Sequence, residues 1–407
     1  MSEPTVLSVR RRTIQTLSAA QVFSGIGVAG AVPAGALLVL EVSGSESLSG
    51  LAQTFSVLGA ALRAIPLASL TSRGGRRLAL STGYVVGAIG ATCAVLGGTF
   101  RFLPLILLGT MMVGAASAAG YQTRFAAVDL SSDERRARDL SLVVWAGTVG
   151  AVAGPNLLHF SGSIATSLGM RELVGPYLFA GAMLLIGAVV IWTRLRPDPY
   201  LFSRREANDP VKRARGTTKR AFATIRASRP ASIALAAIVV GHIAMVSIMV
   251  MTPVHMRHVD VSLQVIGLVI SVHIVGMYAL SPVMGWLSDR FGRYAVIRLG
   301  VLLLLLSALV AGTSAANDAI SLGIGLLLLG LGWSATIVSG STLLAESLEA
   351  ADRPAAQGAS DLMMNGSGAL GGVVAGIIIA TSSYGVLCAV AAIPILLLGV
   401  ATLRRTR

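Results

Sequence analysis

The stretch Gly285–Tyr294, with the sequence GWLSDRFGRY, decides how the rest of the chain is interpreted. It lies between two long apolar runs, at about residues 263–288 and 295–313, and neither run has an acidic residue in its interior. Its one aspartate and two arginines therefore form a compact charged hinge between two segments with the character of membrane helices. Its two glycines allow a tight reversal of the backbone and a close approach of the two helices.

The composition indicates a polytopic membrane protein. The chain has 407 residues, of which 54% are hydrophobic and only 12% are charged, and a soluble protein of this size could not bury so much apolar surface. No cleavable signal peptide is expected, because the first apolar run is too long for one. Cys93 and Cys388 fall inside apolar runs, so we predict packing roles for them and neither a disulfide nor a metal site.

Twelve apolar runs follow one another along the chain. Each is close to the roughly 20 residues that a helix needs to cross about 30 Å of hydrocarbon. Helices are required, because lipid cannot satisfy open backbone groups. We therefore predict an all-α membrane protein whose twelve transmembrane helices lie at about residues 15–40, 50–71, 78–98, 102–123, 139–159, 173–193, 231–254, 263–288, 295–313, 318–343, 361–382 and 385–403.

The positions of the basic residues predict the orientation. The net charge of +14 could suggest a nucleic-acid partner, but the bases lie in short segments between the runs, where they indicate topology. With the N-terminus inside, 28 of the 32 bases are cytoplasmic and three, Arg101, Arg171 and Arg257, are outside. We predict an inner-membrane protein with both termini in the cytoplasm and no nucleic-acid partner. The high content of Arg, Ala and Gly suggests a bacterial source.

The two halves of the sequence look like copies of one another. Arg73–Arg77 follows the second run as Arg290–Tyr294 follows the eighth, at an offset of 217 residues. Asp129-Leu130 and Ser347-Leu348 correspond at an offset of 218, as do Gly150 and Gly154 with Gly368 and Gly372. Matching landmarks indicate a duplicated six-helix unit. We predict pseudo-symmetric bundles at residues 1–194 and 230–407, joined by a basic linker at 195–229 that is either a solvated tether or an amphipathic segment on the membrane surface.

The decapeptide resembles the loop signature of the major facilitator superfamily, G-x-x-x-D-R-x-G-R-[RK]. Tyr294 departs from the pattern at its last position, and Ser72 stands where the first-half copy should have its acid. The resemblance covers essentially the whole chain. It implies two bundles that rock around a central cavity lined by helices 1, 4, 7 and 10, and it implies a monomeric transporter that binds a small-molecule substrate within the lipid bilayer.

Rocking needs a set of contacts with two stable arrangements. We hypothesise two latches on the cytoplasmic side that hold the outward-facing state. Asp289 is expected to accept hydrogen bonds from Arg293 and to lie near the positive N-terminal end of helix 5. Asp361 is expected to supply the acid that the first-half arginines lack. The full set of latch residues is Gly285, Asp289, Arg290, Gly292, Arg293, Arg73, Gly75, Arg76, Arg77 and Asp361.

Helix 5 carries Gly150, Gly154 and Pro155, which resemble the G-x-x-x-G-P signature of drug/proton antiporters in the same superfamily. The trailing glycines of that signature are replaced by Asn156 through His159. The glycines allow close helix contact and the proline bends the helix. A plain helix-packing role explains the motif nearly as well, so both interpretations stay open.

Arg63 is the one base inside an apolar run, and a charge at that depth needs a partner or water. It is either a contact for an anionic group or a gating carboxylate, or a residue with a structural ion pair or carbonyl contacts between helices 2 and 11. His242 and His273 could take up a proton near neutral pH, or they could be neutral hydrogen-bonded residues. Helix 7 lines the cavity in the family, so His242 is the preferred proton carrier. Further candidate cavity residues are Gln21, Tyr121, Gln122, Trp145, Asn156, Trp333 and Asn365.

No phosphate-cradling loop, metal-spaced Cys/His cluster or nucleophile elbow is present in the sequence. We therefore predict a secondary transporter that is not an enzyme, has no cofactor or metal, and exports a small organic molecule in exchange for protons. No Asp or Glu is expected in the middle of the membrane, which leaves the proton carrier open. Two alternatives remain: transport of an organic anion or metabolite through Arg63, and a non-transporting membrane receptor or scaffold.

Overall fold

The computed structural model of the chain describes residues 5–44, 48, 51–206, 218–257 and 263–403. Every regular element in these ranges is helical. Residues 207–217 of the predicted linker and the terminal bases Arg404, Arg405 and Arg407 lie outside them. The side chains of Pro155, Asn156 and Arg257 also lie outside the described part of the chain.

The first half of the chain folds into six long helices. The element Leu51–Thr99 is interrupted at Gly75, whose φ and ψ of 85° and 176° are not helical, and we label the parts before and after Gly75 α2 and α3. Helix α5 is in two parts that bend by 55° at a short break. The bounds are α1 Val6–Ser43, α2 and α3 within Leu51–Thr99, α4 Leu103–Val128, α5 Arg136–Asn156 continued by Leu158–Ser167, and α6 Gly175–Arg194.

The second half repeats this arrangement after two short linker helices, Pro199–Glu206 and Thr218–Ala227. Helix α8 contains a π-helical turn at Val275–Ala279. The bounds are α7 Arg229–Arg257, α8 Leu263–Ile274 continued by Ser281–Phe291, α9 Arg293–Thr313, α10 Ala319–Glu346, α11 Arg353–Thr381 and α12 Tyr384–Leu403. Among the described residues, ten helices are long and apolar enough to cross a membrane, or eleven when the bent α5 pair counts as one. Separating α2 from α3 at Gly75 brings the count to the twelve that the fold requires.

The starts of α11 and α10 show features that the apolar runs did not predict. Helix α11 begins at Arg353, eight residues before the apolar run that predicted it, so Asp361 lies about 12 Å inside the helix at 1.5 Å rise per residue. Asp318 caps α10, because its carboxylate accepts hydrogen bonds from the Ser321 hydroxyl at 2.6 Å and backbone N–H at 3.0 Å. These hydrogen bonds hold the pKa of the Asp318 carboxyl below its ordinary value.

The chain divides into two compact units. Each unit contains one short segment whose sequence neighbours lie in the other unit: the first part of α5 belongs to unit 2, and the first part of α11 belongs to unit 1. Unit 1 comprises Met1–Ser131, Ala146–Phe222 and Ala350–Leu362, and unit 2 comprises Ser132–Trp145, Ala223–Glu349 and Met363–Arg407.

Candidate functional site

In unit 2 the charged hinge lies against the start of α5. The carboxylate of Asp289 accepts hydrogen bonds from the backbone N–H groups of Ala137 at 3.0 Å and Arg138 at 2.8 Å. These are among the first amides of α5, which have no partner within their own helix. The same carboxylate pairs with Arg293 at 2.6 Å. Asp289 therefore contacts both the arginine and the helix N-terminus that the sequence predicted for it.

Arg293 joins Asp289 to a second acid at the end of α10. Its Nη2 donates to Glu346 at 2.8 Å and to the backbone carbonyl of Asp133 at 2.7 Å. Arg136 lies 3.5 Å from the same glutamate. The cluster thus binds the end of α8, the start of α9, the end of α10 and the start of α5 to one another through two acids and two bases.

Two glycines shape this corner. Gly292 has φ of 90°, in the left-handed region that favours glycine, and it separates α8 from α9. Gly285 lies where α8 touches α5: a Cβ at this position would be 2.6 Å from the carbonyl oxygen of Ala137. Arg290 takes no part in the cluster, and its guanidinium lies 5.8 Å from the ring centres of Trp286 and Phe291.

Unit 1 contains a related cluster around Arg76. Its guanidinium is 1% exposed and makes two hydrogen bonds to Asp129, at 2.8 and 3.1 Å, and one to the amide oxygen of Gln357 at 2.8 Å. Gly75, just before it, has φ of 85°. The backbone N–H of Arg77 donates to Asp198 at 2.7 Å, while Arg73 is exposed.

The direct ion-pair partner of Asp361 is Arg124, whereas the sequence expectation gave it Arg73, Arg76 and Arg77; of these, Arg76 also interacts with it electrostatically. Its carboxylate accepts a 2.5 Å hydrogen bond from Arg124, and the two side chains are 0% and 4% exposed. Because α11 begins eight residues early, Asp361 lies more than two turns inside the helix, where Arg124 on α4 reaches it. Arg76 uses Asp129 instead.

Two of the predicted polar residues meet in unit 2. The indole N–H of Trp333 donates to Nδ1 of His242 at 3.2 Å, and the ring of Tyr278 packs edge-on against the indole. An imidazole that accepts at Nδ1 has no proton there. A Cβ at Gly368 would lie 2.8 Å from the imidazole, so α11 also packs closely on it. Asn365 is buried one turn earlier on α11.

His273 has a different environment. It is fully buried, and its Nδ1 lies 2.9 Å from the carbonyl oxygen of Leu326, to which it donates. This bond joins α8 to α10 in the manner of a structural histidine. Trp145 on α5 is 45% exposed and has no described hydrogen bond or ring contact.

The unit 1 candidates form separate contacts. The amide nitrogen of Gln122 donates to the carbonyl of Ala64 at 3.0 Å. Gln21 accepts from the hydroxyl of Thr123 at 3.3 Å. The ring of Tyr121 lies 6.0 Å from the guanidinium of Arg124. These contacts lie along the C-terminal half of α4.

Arg63 is half-buried on α2, and no described residue forms an ion pair or hydrogen bond with it. The structural interpretation, an ion pair or carbonyl contacts between helices 2 and 11, has no support among the described contacts. The interpretation as a contact for an anionic group stays a prediction.

The glycines of α5 are packed directly on α1. A Cβ at Gly150 would lie 2.5 Å from the Cα of Gly25, and a Cβ at Gly154 would lie 2.7 Å from the backbone nitrogen of Gly30. Two pairs of glycines therefore let the helix backbones touch. This contact is what the helix-packing interpretation of the motif requires.

Four residues of these clusters are absent from the predicted site: Arg124, Asp129, Glu346 and Gln357. Two of them had a usable signal. The offset of 217 residues that matches Arg76 with Arg293 also matches Asp129 with Glu346, whereas the offset of 218 had matched Asp129 with Ser347. The sequence places Arg124 only among the bases that predict orientation, and Gln357 lies before the predicted apolar run of helix 11.

Comparison with known proteins gives one consistent result. Residues 17–260 and 233–407 match the family model described as Major Facilitator Superfamily. The transporter YdeG of Bacillus subtilis, described as an uncharacterized MFS-type transporter, is 37% identical over 381 residues, covering 93% of this chain and 88% of its own. The riboflavin transporter RfnT of Brucella anthropi is 28% identical, covering 92% of this chain and 90% of its own.

Solved structures share the fold at low identity. FucP, a transporter of this superfamily in the outward conformation, has a TM-score of 0.74 at 14% identity, covering 96% of this chain and 99% of its own. The human organic anion transporter MFSD10 has a TM-score of 0.72 at 16% identity, covering 97% and 99%.

Proposed function

The chain belongs to the major facilitator superfamily, and on that premise we propose that it exports a small organic molecule across the inner membrane in exchange for protons. Membership makes it a multi-pass membrane transporter related to bacterial proteins. The direction of transport, the coupling ion, the substrate and the cytoplasmic location of both termini are the parts that we propose.

The observation that carries proton coupling is the buried pair of Arg124 and Asp361. Burial of the carboxylate opposes its charged form, while the guanidinium beside it favours that form, so the two effects compete at Asp361. Proton uptake at Asp361 neutralises it and releases Arg124, while proton loss restores the pair. Because Asp361 lies on α11 and Arg124 on α4, the two protonation states differ in how strongly these helices are joined. A proton can thereby favour one conformation over the other.

Asp289 supplies the latch in the same scheme. Its contacts with the start of α5 join α5 to α8 only while the first turn of α5 stays in place. We propose that these hydrogen bonds break and re-form in each transport cycle. A variant Asp289→Asn should then change the conformational preference of the protein as well as its stability.

His242 is a second coupling candidate, and it makes a distinct prediction. Its Nδ1 accepts from Trp333, so a proton at that nitrogen would displace the indole. If His242 carries the transported proton, His242→Gln alters the dependence of transport on pH. An unaltered profile would restrict coupling to Asp361.

Export is favoured by the Gly150, Gly154 and Pro155 motif, which resembles that of drug/proton antiporters. Riboflavin is the first compound to test, because a relative covering most of the chain carries that name. A second function, transport of an organic anion, is favoured by Arg63, a half-buried base without a described ionic partner. In that case Arg63→Gln weakens the transport of anionic compounds and leaves that of neutral compounds unchanged.

The test is a flux assay on purified protein in liposomes, with riboflavin and a panel of neutral, cationic and anionic compounds. For proton exchange, an acidic interior drives accumulation of the substrate; for cotransport with protons, an alkaline interior does so. Accumulation with the acidic interior supports the proposal. Accumulation only with the alkaline interior contradicts export. No flux of any compound, together with no thermal stabilisation by any of them, favours the receptor or scaffold alternative.

A further inference from the structure

A groove runs along the outer surface of unit 1 between α3 and α6. Its volume is about 390 Å³, within the range of small-molecule sites. Most of its lining is apolar, contributed by Leu78, Val85, Val86, Leu185, Val189 and Trp192. The groove lies outside the ion-pair clusters described above and contains none of their acids.

Two of the three hydroxyl groups in the lining donate within their own helices. Ser81 donates to the backbone carbonyl of Arg77 at 2.7 Å, and Thr193 donates to that of Val189 at 2.7 Å. Because these bonds stay within each helix, the hydroxyl protons are used, and the groove offers hydrocarbon contact along most of its length. Its natural occupant is therefore an apolar chain.

One end of the groove is basic. The guanidinium of Arg77 lies over the Trp192 ring, 4.8 Å from its centre, and α6 ends with the exposed Arg194, followed by the exposed Arg196. None of these arginines forms an ion pair with a described residue. The nearby carboxylate of Asp198 accepts from backbone N–H groups, including that of Arg77. The three positive charges are thus available to an anion.

The corresponding surface of unit 2 is bridged. At the offset of 217 residues, Ser81 corresponds to Arg298 and Leu185 corresponds to Thr402. Arg298 donates to the backbone carbonyl of Thr402 at 2.6 Å, which joins α9 to α12 across the positions that line the groove in unit 1. The open groove is therefore a feature of one copy of the repeat and not a consequence of the fold.

We propose that this groove binds one anionic phospholipid. One acyl chain lies between α3 and α6, and the phosphate is held by Arg77, Arg194 and Arg196. An apolar slot that ends in a basic cluster matches a lipid with a charged headgroup, and basic pockets between membrane helices are a known means of binding such headgroups. A neutral lipid would gain the slot but not the charge.

Native mass spectrometry of the full-length protein tests the proposal, with phosphatidylglycerol and phosphatidylcholine as probes at matched concentrations. The expected result for the wild type is one tightly retained phosphatidylglycerol and weaker retention of phosphatidylcholine. Val85→Trp fills the groove and should abolish the preference. Leu302→Trp, the same change at the corresponding exposed position of α9, is the matched control and should leave the preference intact.

A second variant tests the basic end without touching the apolar slot. Arg194→Gln with Arg196→Gln should weaken phosphatidylglycerol binding roughly fivefold per arginine, and phosphatidylcholine binding should not change. Equal retention of the two lipids by the wild type would overturn the proposal. So would retention by Val85→Trp equal to that of the wild type, or equal losses in Val85→Trp and Leu302→Trp.

Discussion

The turn after Gly75 in unit 1 and the turn after Gly292 in unit 2 share a backbone and differ in chemistry. Both glycines have φ near 90°, and both are followed by an arginine that pairs with an acid 53 residues later, Arg76 with Asp129 and Arg293 with Glu346. Both units therefore have the glycine turn and an arginine–carboxylate pair that joins this turn to the end of α4 in unit 1 or of α10 in unit 2. The two turns differ in how they hold a neighbouring helix, which is α11 for the turn of unit 1 and α5 for the turn of unit 2.

The difference begins with one residue of each turn. Asp289 binds the backbone N–H groups at the start of α5, whereas its counterpart Ser72 donates within its own helix to Ser69. The partner has changed as well: Ala137 corresponds to Pro354, which has no N–H to donate. A carboxylate at position 72 would thus have lost one of its two amide partners.

Unit 1 holds the start of α11 by side chains instead. Gln357 binds Arg76, and Asp361 binds Arg124. The start of α5 is thus held by a charge at a helix end, and the start of α11 by a buried ion pair. Protonation has a larger effect on the buried pair, because neutralising one member leaves the other without its counter-charge in a dry environment.

Breaking the buried pair should have the largest effect. Asp361→Ala leaves Arg124 buried without its carboxylate and should lower the free energy of unfolding by about 3–5 kcal/mol. Thermal unfolding of the purified protein measures the loss. The double variant Arg124→Met with Asp361→Leu removes both charges and should recover most of it. A single variant as stable as the wild type would contradict the energetic importance of the pair.

The two turn glycines should give the next largest effect, and an unequal one. An alanine at either position costs about 1–2 kcal/mol because of the positive φ. At Gly75 a Cβ would also collide with the carboxylate of Asp198, while at Gly292 nothing lies within 4 Å. Gly75→Ala should therefore lower the melting temperature more than Gly292→Ala. The helical control Gly323→Ala, in open space, should not lower it. Equal losses at the two turns would show that the contact with Asp198 adds nothing to the cost at Gly75.

The twelve helices and the hinge geometry of unit 2 could be predicted from the sequence, because apolar length and the decapeptide are local signals. These signals predict both partners of Asp289, the side chain of Arg293 and the N-terminus of α5. The partner of Asp361 could not be predicted in the same way. It depends on where α11 begins, and that helix starts with eight residues that are too polar to extend an apolar run. The pair of His242 with Trp333 depends on how helices rotate against each other, which hydropathy does not record.

Removing the carboxylate at the unit 2 turn should have a smaller effect. Asp289→Asn loses the charge that faces Arg293 and the α5 amides, at a cost of about 1 kcal/mol. Hydrogen exchange at Ala137 and Arg138 should become faster, while exchange at the start of α11 stays unchanged. Ser72→Ala is the matched control at the corresponding position. If transport and exchange both match the wild type, the latch hypothesis is wrong.

The smallest effect should come from salt. Raising the ionic strength from about 0.1 to 1 M shortens the Debye length from about 10 to 3 Å. The attraction between the partly exposed Glu346 and Arg136 in unit 2 should weaken by about 0.3 kcal/mol. The buried pair in unit 1 should not respond. Hydrogen exchange in α5 and α11 at both salt concentrations checks this. Equal responses would erase the distinction between the two units.

Proton-driven flux in Asp361→Asn liposomes tests the coupling role of the buried pair most directly, with the acid-to-amide change Asp318→Asn at the exposed cap of α10 as its control. We predict that Asp361→Asn loses accumulation driven by an acidic interior but still exchanges labelled for unlabelled substrate. The control Asp318→Asn should behave as the wild type. Undiminished proton-driven accumulation in Asp361→Asn would contradict the coupling role.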